Sequence, residues 1–149
     1  MKNILLLLVF VCGTALGAFA QQSAGVTAPS GELEQSAQKA TNALAEKYTL
    51  TEAQRAKMYT VQLRKLKNEA QIASLKTSDP AKYQLKKDAL QKGTLGSIQR
   101  LLSTKEQMEL FKRTQSDVRT QKSAKRKELM MQSASPTEIK AALTDIYQE

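Results

Sequence analysis

Apolar residues recur at helical spacing along most of the chain. In the first such stretch, Leu33, Ala37, Ala40, Leu44 and Tyr48 follow one another at steps of three or four, so they share one helical face. Similar faces recur further along, and no segment alternates convincingly between apolar and polar residues. The pattern predicts an all-α protein of four to five helices. Long antiparallel hairpin helices would form a thin layer that could be curved.

Two threonines mark helix starts by the same device. Thr51 and Thr104 are each followed three residues later by a glutamine, Gln54 and Gln107. This is the spacing of a capping box, in which the threonine side chain accepts a backbone N–H bond and the glutamine bonds back to the threonine N–H. Each motif therefore predicts the first turn of a long helix.

Further start and stop signals give the boundaries of the other helices. Asp79-Pro80 and Ser135-Pro136 each place a capping side chain before a proline at the first helical position. The predicted helices cover residues 32–47, 52–76, 80–101, 104–131 and 136–147. Gly93 and Gly96 lie inside the third of these helices. They indicate a kink, a close crossing of another helix, or weak helix formers that are simply tolerated.

The N-terminal residues have the pattern of an export signal. Lys2 precedes an apolar run, Ile4 to Cys12, that is short for a membrane span, and Ala18-Phe19-Ala20 is a small-x-small cleavage site. We therefore expect cleavage after Ala20. The expected divisions are a signal peptide at residues 1–20, a flexible leader at 21–31 and a single helical domain at 32–149.

The composition removes most of the common catalytic and metal-binding chemistries. The chain has no histidine, and its single cysteine, Cys12, lies within the expected signal peptide. Neither a glycine-rich nucleotide fingerprint nor a nucleophile-elbow serine is present. The acidic residues lie on polar helix faces beside lysine or arginine, which favours a solvated face over a catalytic carboxylate pair. We therefore expect no enzyme activity, no cofactor and no metal site.

Positive charge is concentrated in the middle of the chain. Residues 50–131 contain 19 lysines and arginines against eight acidic residues, and the full chain carries a net charge of +9. Such a basic surface could be a solvated face, or it could bind nucleic acid, an anionic membrane, or acidic and partly unfolded proteins. An exported protein meets little nucleic acid, so that partner is not expected. The composition alone favours the solvated face and the binding of proteins equally.

The two capping boxes together resemble the repeated LTxxQ motif of the Spy/CpxP-type periplasmic family. The matching residues are Leu50, Thr51 and Gln54 in the first copy, and Thr104 and Gln107 in the second. The second copy departs at Ser103, which stands where the family has leucine, and Leu101 or Leu102 could serve instead. The resemblance covers roughly residues 44–129 and leaves the C-terminal helix, about 136–147, unmatched.

The resemblance implies a periplasmic, ATP-independent chaperone. Proteins of this family form thin, curved helical dimers and bind unfolded or partly folded envelope proteins on a basic concave face. A homodimer is therefore expected here, and the motif residues should fix helix starts and hairpin packing. The alternatives are a non-catalytic adaptor that inhibits an envelope-stress sensor kinase, and a protein that binds anionic membrane surfaces.

Candidate client-binding residues follow from the basic middle of the chain. The charged candidates are Arg64, Lys65, Arg113, Arg119, Lys122 and Arg126. Met58 and Phe111 are the nearby apolar candidates, although their helical spacing favours packing in the core.

Overall fold

The computed structural model describes residues 30–147, and every regular element in that part of the chain is an α-helix. The helices are α1 (Ser30–Tyr48), α2 (Glu52–Ile72), α3 (Leu75–Ser78), α4 (Pro80–Leu101), α5 (Lys105–Met131) and α6 (Pro136–Asp145). The all-α prediction is confirmed. The expected signal peptide and residues 21–29 of the expected leader lie outside the described residues.

Three helix boundaries differ from the prediction by two residues or more. Helix α1 begins at Ser30, so the last two residues assigned to the leader are helical, and α6 ends at Asp145 rather than 147. The predicted helix over 52–76 stops at Ile72 and is followed by the one-turn helix α3. The reason is a local tightening, because the Ala73 N–H donates to the carbonyl oxygen of Ala70, three residues back, at 3.3 Å.

Helices α1 and α5 end in the same way. Thr49 and Ser133 have left-handed backbones, with φ of 51° and 58°. After α1, the N–H of Leu50 donates to the Ala45 oxygen at 2.9 Å and the N–H of Thr49 donates to the Glu46 oxygen at 3.4 Å. This is a Schellman motif, which satisfies the last carbonyls of the helix and turns the chain sharply. The same pair of bonds follows α5, so α2 folds back on α1 and α6 folds back on α5.

Helices α2 and α4 form the long antiparallel hairpin. Near the start of α2, the Gln54 amide donates to the carbonyl oxygen of Leu101 at 2.8 Å, and further along Arg64 Nη2 donates to Ser97 Oγ at 3.1 Å. Residue numbers therefore rise along α2 as they fall along α4. Helix α3 forms the turn between the two, and Asp79 caps α4 by accepting the Lys82 N–H at 3.0 Å.

The hydrophobic core lies where the α1–α2 turn meets the end of α4 and the start of α5. Its buried members are Leu44, Ala45, Tyr48, Leu50, Met58, Ile98, Leu102 and Phe111. The rings of Tyr48 and Phe111 lie with their centroids 6.2 Å apart at 54°, which joins α1 to α5. Because this cluster surrounds the two predicted capping motifs, the motifs lie at the centre of the packing.

The interior is unusually polar for its size. The buried polar residues are Thr41, Gln54, Gln62, Gln91, Thr94, Gln107, Thr114 and Thr144. The four threonines each donate the side-chain hydroxyl to the carbonyl oxygen four residues earlier, at 2.7–3.0 Å. The hydroxyls of Thr41, Thr94 and Thr114 are thereby satisfied within their own helices, and the Thr144 hydroxyl also lies 3.3 Å from Asp88 Oδ1 on α4.

The two glycines of α4 meet no neighbouring backbone. A Cβ atom added at Gly93 would contact nothing within 4 Å, and one added at Gly96 would lie 3.6 Å from the side chain of Arg100. Helix α4 runs through both positions without interruption. The expected alternative of a close helix crossing is therefore wrong, and both residues are weak helix formers that α4 tolerates.

Candidate functional site

Both predicted capping boxes form. Thr51 Oγ1 accepts the Gln54 N–H at 3.3 Å, and Gln54 Oε1 accepts the Thr51 N–H at 2.9 Å. Thr104 Oγ1 accepts the Gln107 N–H at 3.2 Å, and Gln107 Oε1 accepts the Thr104 N–H at 3.3 Å. Together the boxes fix the first turns of α2 and α5.

The two glutamines also bond to each other, which neither box alone would indicate. Gln54 Nε2 donates to Gln107 Oε1 at 3.0 Å, and Gln107 Nε2 donates to Gln54 Oε1 at 3.0 Å. Both side chains are buried, with 8% and 4% of their surface exposed. Gln54 Nε2 also reaches the Leu101 carbonyl, and Gln107 Nε2 donates to the Thr49 carbonyl at 3.2 Å. This paired-glutamine cluster joins the ends of α1 and α4 to the starts of α2 and α5.

The second motif is shifted by one residue relative to the first. Leu50 and Leu102 are both buried in the core cluster, so Leu102 takes the role of the motif leucine. Ser103, which stands at the leucine position, is exposed; its N–H donates to Gln107 Oε1 at 2.9 Å and its Oγ accepts from Gln54 Nε2 at 3.2 Å. The five motif residues therefore serve packing and capping, and their buried members offer no binding surface.

Three of the six charged candidates lie together, in an open groove between α5 and α6. Its volume is about 780 Å³. Helix α5 contributes Arg119, Lys122, Ser123, Arg126 and Met130, and α6 contributes Pro136, Ile139, Lys140, Leu143 and Thr144. We call this surface the α5–α6 groove. It combines the aliphatic surfaces of one methionine, one proline, one isoleucine and one leucine with four cationic side chains.

Positive charge is in excess in the α5–α6 groove. Within residues 30–147, none of Arg119, Lys122, Arg126 and Lys140 forms an ion pair. Three acidic residues of the same two helices bond elsewhere: Glu128 bonds Lys125 Nζ at 2.8 Å, Glu138 accepts the Ser135 N–H at 2.8 Å, and Asp145 pairs with Lys87. The Asp88 carboxylate of α4 lies at the edge of the groove, where it accepts from the Thr144 hydroxyl at 3.3 Å. Four cations without ion pairs against this one neighbouring carboxylate leave the groove with an excess of positive charge.

Two of these acids are held in the ionised form by their neighbours. The hydrogen bond and the positive charge of Lys125 lower the pKa of the Glu128 carboxyl. Hydrogen bonds from the Ser135 side chain and backbone lower the pKa of Glu138. Both carboxylates therefore remain ionised to a lower pH than an unpaired glutamate does.

The C-terminal end of α6 is fastened to α4 by polar contacts. Gln91 Nε2 donates to the Thr144 carbonyl at 2.9 Å, and the Tyr147 hydroxyl donates to the Gln91 carbonyl at 3.2 Å. Lys87 donates to Asp145. Burial opposes the charge on Lys87, but the bond and the attraction to Asp145 outweigh it and raise the pKa of the ammonium group. These contacts fix the α6 wall of the groove.

The remaining candidates lie elsewhere. Arg64 and Lys65 line a second hollow of about 380 Å³ against α4, where Arg64 bonds Ser97 and Lys65 Nζ lies 5.2 Å from the Tyr147 ring centroid. Arg113 is exposed on α5 outside the groove. Met58 is fully buried and Phe111 is 7% exposed, so both pack in the core, as their helical spacing favours, and they offer little surface to a client.

Sequence reasoning missed the α6 side of the groove. The charged candidates did not include Lys140, and the apolar face that Ile139 and Leu143 form on this helix was not assigned to a site. The available signal was that this short helix has an apolar face and follows a tight turn from a basic helix, which brings the two faces together. The contact between Gln54 and Gln107 was missed as well, although the repetition of the same box was visible.

The described part of the chain contains neither a cluster of metal-binding side chains nor a helix suited to crossing a membrane. In residues 30–147, no three residues among His, Cys, Asp and Glu cluster in a way that could hold a metal ion. Over the same residues, no helix combines the length and the apolar character that a membrane crossing needs.

Comparison of the chain with family models, with curated proteins and with solved structures found no match. The resemblance to the LTxxQ-motif family therefore depends on the motif residues themselves, and what it implies is a matter for proposal.

Proposed function

We propose that this protein is an ATP-independent periplasmic chaperone that binds unfolded or partly folded proteins through its basic helical surface and suppresses their aggregation. The α5–α6 groove is the observation that carries the proposal. It joins four cationic side chains without ion pairs to a partly exposed apolar floor, within one surface. The resemblance of the two capping motifs to the Spy/CpxP-type family supports the same conclusion.

The proposed mechanism separates capture from holding. Long-range attraction to Arg119, Lys122, Arg126 and Lys140 accelerates the approach of acidic segments, and it is screened beyond a Debye length of about 8 Å at physiological salt. Met130 is 63% exposed and Ile139 is half-buried, so apolar side chains of the client find contact area once the client arrives. The flexible methionine lets the floor adapt to different apolar side chains. The resemblance to the Spy/CpxP-type family implies that the client folds while it is bound.

The paired-glutamine cluster supports this surface from a distance. It orients the first turn of α5 against α1, α2 and α4 by buried hydrogen bonds. The rest of α5 then extends from this fixed start to Met131, with its basic residues on the outside. Under this proposal the motif residues determine where the binding helix lies and do not contact clients.

Export, cleavage after Ala20 and assembly into a homodimer remain parts of the proposal. Mass spectrometry of the protein recovered from a periplasmic extract tests the cleavage, which should give a chain that starts at Gln21. Sedimentation velocity of that chain tests the dimer.

The experiment that tests the function is light scattering of two unrelated aggregating proteins, with and without the mature chain, in the absence of ATP. We expect suppression of both at near-stoichiometric ratios, weaker at moderate salt than at low salt. Suppression of neither protein overturns the proposal and favours a dedicated sensor-kinase adaptor. Failure to suppress combined with salt-sensitive binding to anionic vesicles favours a membrane-surface protein.

A matched pair of double variants assigns the activity to the groove. Arg119→Gln with Arg126→Gln removes two groove cations, whereas Lys105→Gln with Lys127→Gln removes the same charge from exposed positions of the same helix outside the groove. The groove pair should weaken suppression clearly and the control pair only slightly. Equal effects of the two pairs would show that net charge, and not the groove, carries the activity.

A further inference from the structure

We infer that the α5–α6 groove binds its clients as amphipathic helices with acidic flanks, so that the bound segment completes a three-helix unit with α5 and α6. This inference rests on the proposed function, because it takes the ligand to be a segment of a client protein. It adds the conformation and the charge pattern of that segment.

The walls of the groove are two helical faces. On α5 the lining residues are Arg119, Lys122, Ser123, Arg126 and Met130, and on α6 they are Pro136, Ile139, Lys140, Leu143 and Thr144. Within each set, successive residues lie one, three or four positions apart, so each set forms a single face. Eleven residues separate the ends of the α5 set, which corresponds to roughly 16 Å or three turns at ~1.5 Å per residue. Two neighbouring helices with facing stripes leave the kind of trough into which a third helix packs.

The backbone of the groove favours a helix over an extended segment. Because both walls are helices, their main-chain N–H and C=O groups are bonded within the walls, and no strand edge lines the groove. An extended peptide would find no main-chain partner there and would lose its water on the covered side. A helix brings its own backbone bonds and presents only side chains, which is what an apolar floor can accept.

The charges specify the flanks of the bound helix. Arg119, Lys122 and Arg126 come from one wall and Lys140 from the other, so cations flank the apolar floor on both sides. Acidic residues on both sides of the apolar face of an incoming helix would meet them. A helix with neutral or basic flanks would instead cover these cations without pairing them, at a cost in desolvation. The aliphatic stems of the arginines and lysines add contact area along the rims.

The test uses four labelled peptides of about 15 residues, added to the full mature chain and followed by fluorescence anisotropy. The first is a designed helix with leucine at positions i, i+3, i+4 and i+7, and glutamate beside them. The second replaces the glutamates with glutamine. The third carries a central proline, and the fourth is a scrambled version of the first with the same charge. We expect the first peptide to bind most tightly and each of the others to bind at least about tenfold more weakly.

Variants of the protein locate the binding. The pair Arg119→Gln and Arg126→Gln should weaken binding of the acidic helix by about tenfold or more, and the control pair Lys105→Gln and Lys127→Gln by less than about twofold. Ile139→Ser should weaken all apolar contact in the groove, whereas Leu85→Ser, at a residue that is 64% exposed on α4, should have no effect. Circular dichroism of each variant checks that the helices are retained.

The outcomes separate this inference from the proposed function. If the proline peptide or the scrambled peptide binds as tightly as the first peptide, the inference is overturned. The groove would then bind negative charge whether or not the peptide forms an amphipathic helix. Equal loss with the groove pair and the control pair also overturns it. If suppression of aggregation persists while the acidic helix fails to bind, the chaperone proposal stands and the inference fails. If the acidic helix binds but aggregation is unaffected, the chaperone proposal fails, and the groove is a docking site for one acidic helical partner.

Discussion

The side-chain amides of Gln54 and Gln107 hydrogen-bond each other in both directions, at 3.0 Å each way. Each amide also serves as the N3 group of a capping box, so one buried contact links two helix starts that are 53 residues apart in the chain. The same two side chains therefore cap the helices locally and hold distant parts of the chain together.

A double-mutant cycle at these two residues should show strong coupling. Gln54→Ala leaves the Gln107 amide buried without its partner, and Gln107→Ala does the converse, so each should lower the free energy of unfolding by about 1–3 kcal/mol. The double variant should lower it by about 1 kcal/mol less than the sum, because the second change removes an already unpaired group. Urea denaturation measures all four proteins.

A second cycle is the control for this coupling. Gln54 and Gln91 are both buried but share no hydrogen-bond partner, and the Gln91 amide donates to the Thr144 carbonyl. Their alanine variants should add within about 0.5 kcal/mol. Additivity in the first cycle would contradict the interpretation of the paired glutamines as one unit.

Thr51→Ala should lower the free energy of unfolding by about 1 kcal/mol, because the side chain caps α2. Thr51 is exposed, so little packing is lost with the side chain. Thr51→Ser keeps the hydroxyl and should retain most of the stability. An unchanged melting curve for Thr51→Ala would show that the cap contributes nothing measurable.

Thr49→Gly should raise the free energy of unfolding by about 0.5–1 kcal/mol. Thr49 has a φ of 51°, a conformation that is costly for a β-branched residue and free of strain for glycine. The greater flexibility of glycine in the unfolded chain offsets part of that gain. Thr49→Ala, which cannot relieve the left-handed backbone, should gain less than Thr49→Gly; chemical denaturation at 25 °C compares the two, and the reverse order would contradict the argument from strain.

Gln62→Met should stabilise the protein by about 1–2 kcal/mol. Gln62 is 1% exposed; within residues 30–147 its Oε1 has no hydrogen-bond partner, and its Nε2 only approaches the Met58 sulfur at 3.9 Å. Methionine has a similar shape and removes the cost of the buried amide. Gln71→Met, at an exposed position of the same helix, is the control and should change little. A loss of stability in Gln62→Met, seen by thermal denaturation, would mean that the amide is satisfied.

The capping box at the start of α6 should depend on pH. The pKa of Glu138 is lowered by hydrogen bonds from Ser135, so its contribution to stability is present above the unfolded value of about 4.3 and is lost as the pH falls through the folded value. A carbon-detected NMR titration should find a higher pKa for Glu138 in the Ser135→Ala variant. Glu138→Gln, which can still cap without titrating, should remove this acid dependence from the melting of α6. If the pKa of Glu138 is the same in the Ser135→Ala variant as in the original protein, the hydrogen bonds from Ser135 are not what lowers it.

Most of the secondary structure could be predicted from local signals. Helix α4 begins at Pro80 and ends at Leu101 as predicted, and α5 reaches Met131 as predicted. These boundaries could be predicted because capping and helix-breaking residues lie at or next to them in the sequence. The break at Ala73 could not be predicted. It has no proline or glycine, and it arises where the chain must turn from α2 toward α4.

The side of α2 that faces the core was predicted one residue away from its true position. The heptad-like spacing of apolar residues along α2 predicts that Tyr59 and Leu63 face the core, but the buried residues of this helix are Gln54, Met58 and Gln62. A hydrophobicity pattern assigns glutamine to the surface, whereas here one glutamine is buried by its partner across the fold. The α5–α6 groove was not predicted either. It forms only when α5 and α6 lie side by side, and the pattern along each helix does not show how the two helices are arranged.

The polar interior should affect how the stability of the protein depends on temperature. Unfolding a globular chain usually raises the heat capacity by about 12–15 cal/mol/K per residue, because exposed apolar surface dominates over exposed polar surface. Here eight buried residues are threonine or glutamine, beside eleven that are hydrophobic. The heat-capacity increment should therefore fall below the usual range, which flattens the curve of stability against temperature. Even if its maximum stability is modest, a protein with such a flat curve keeps nearly the same free energy of unfolding from cold to warm conditions.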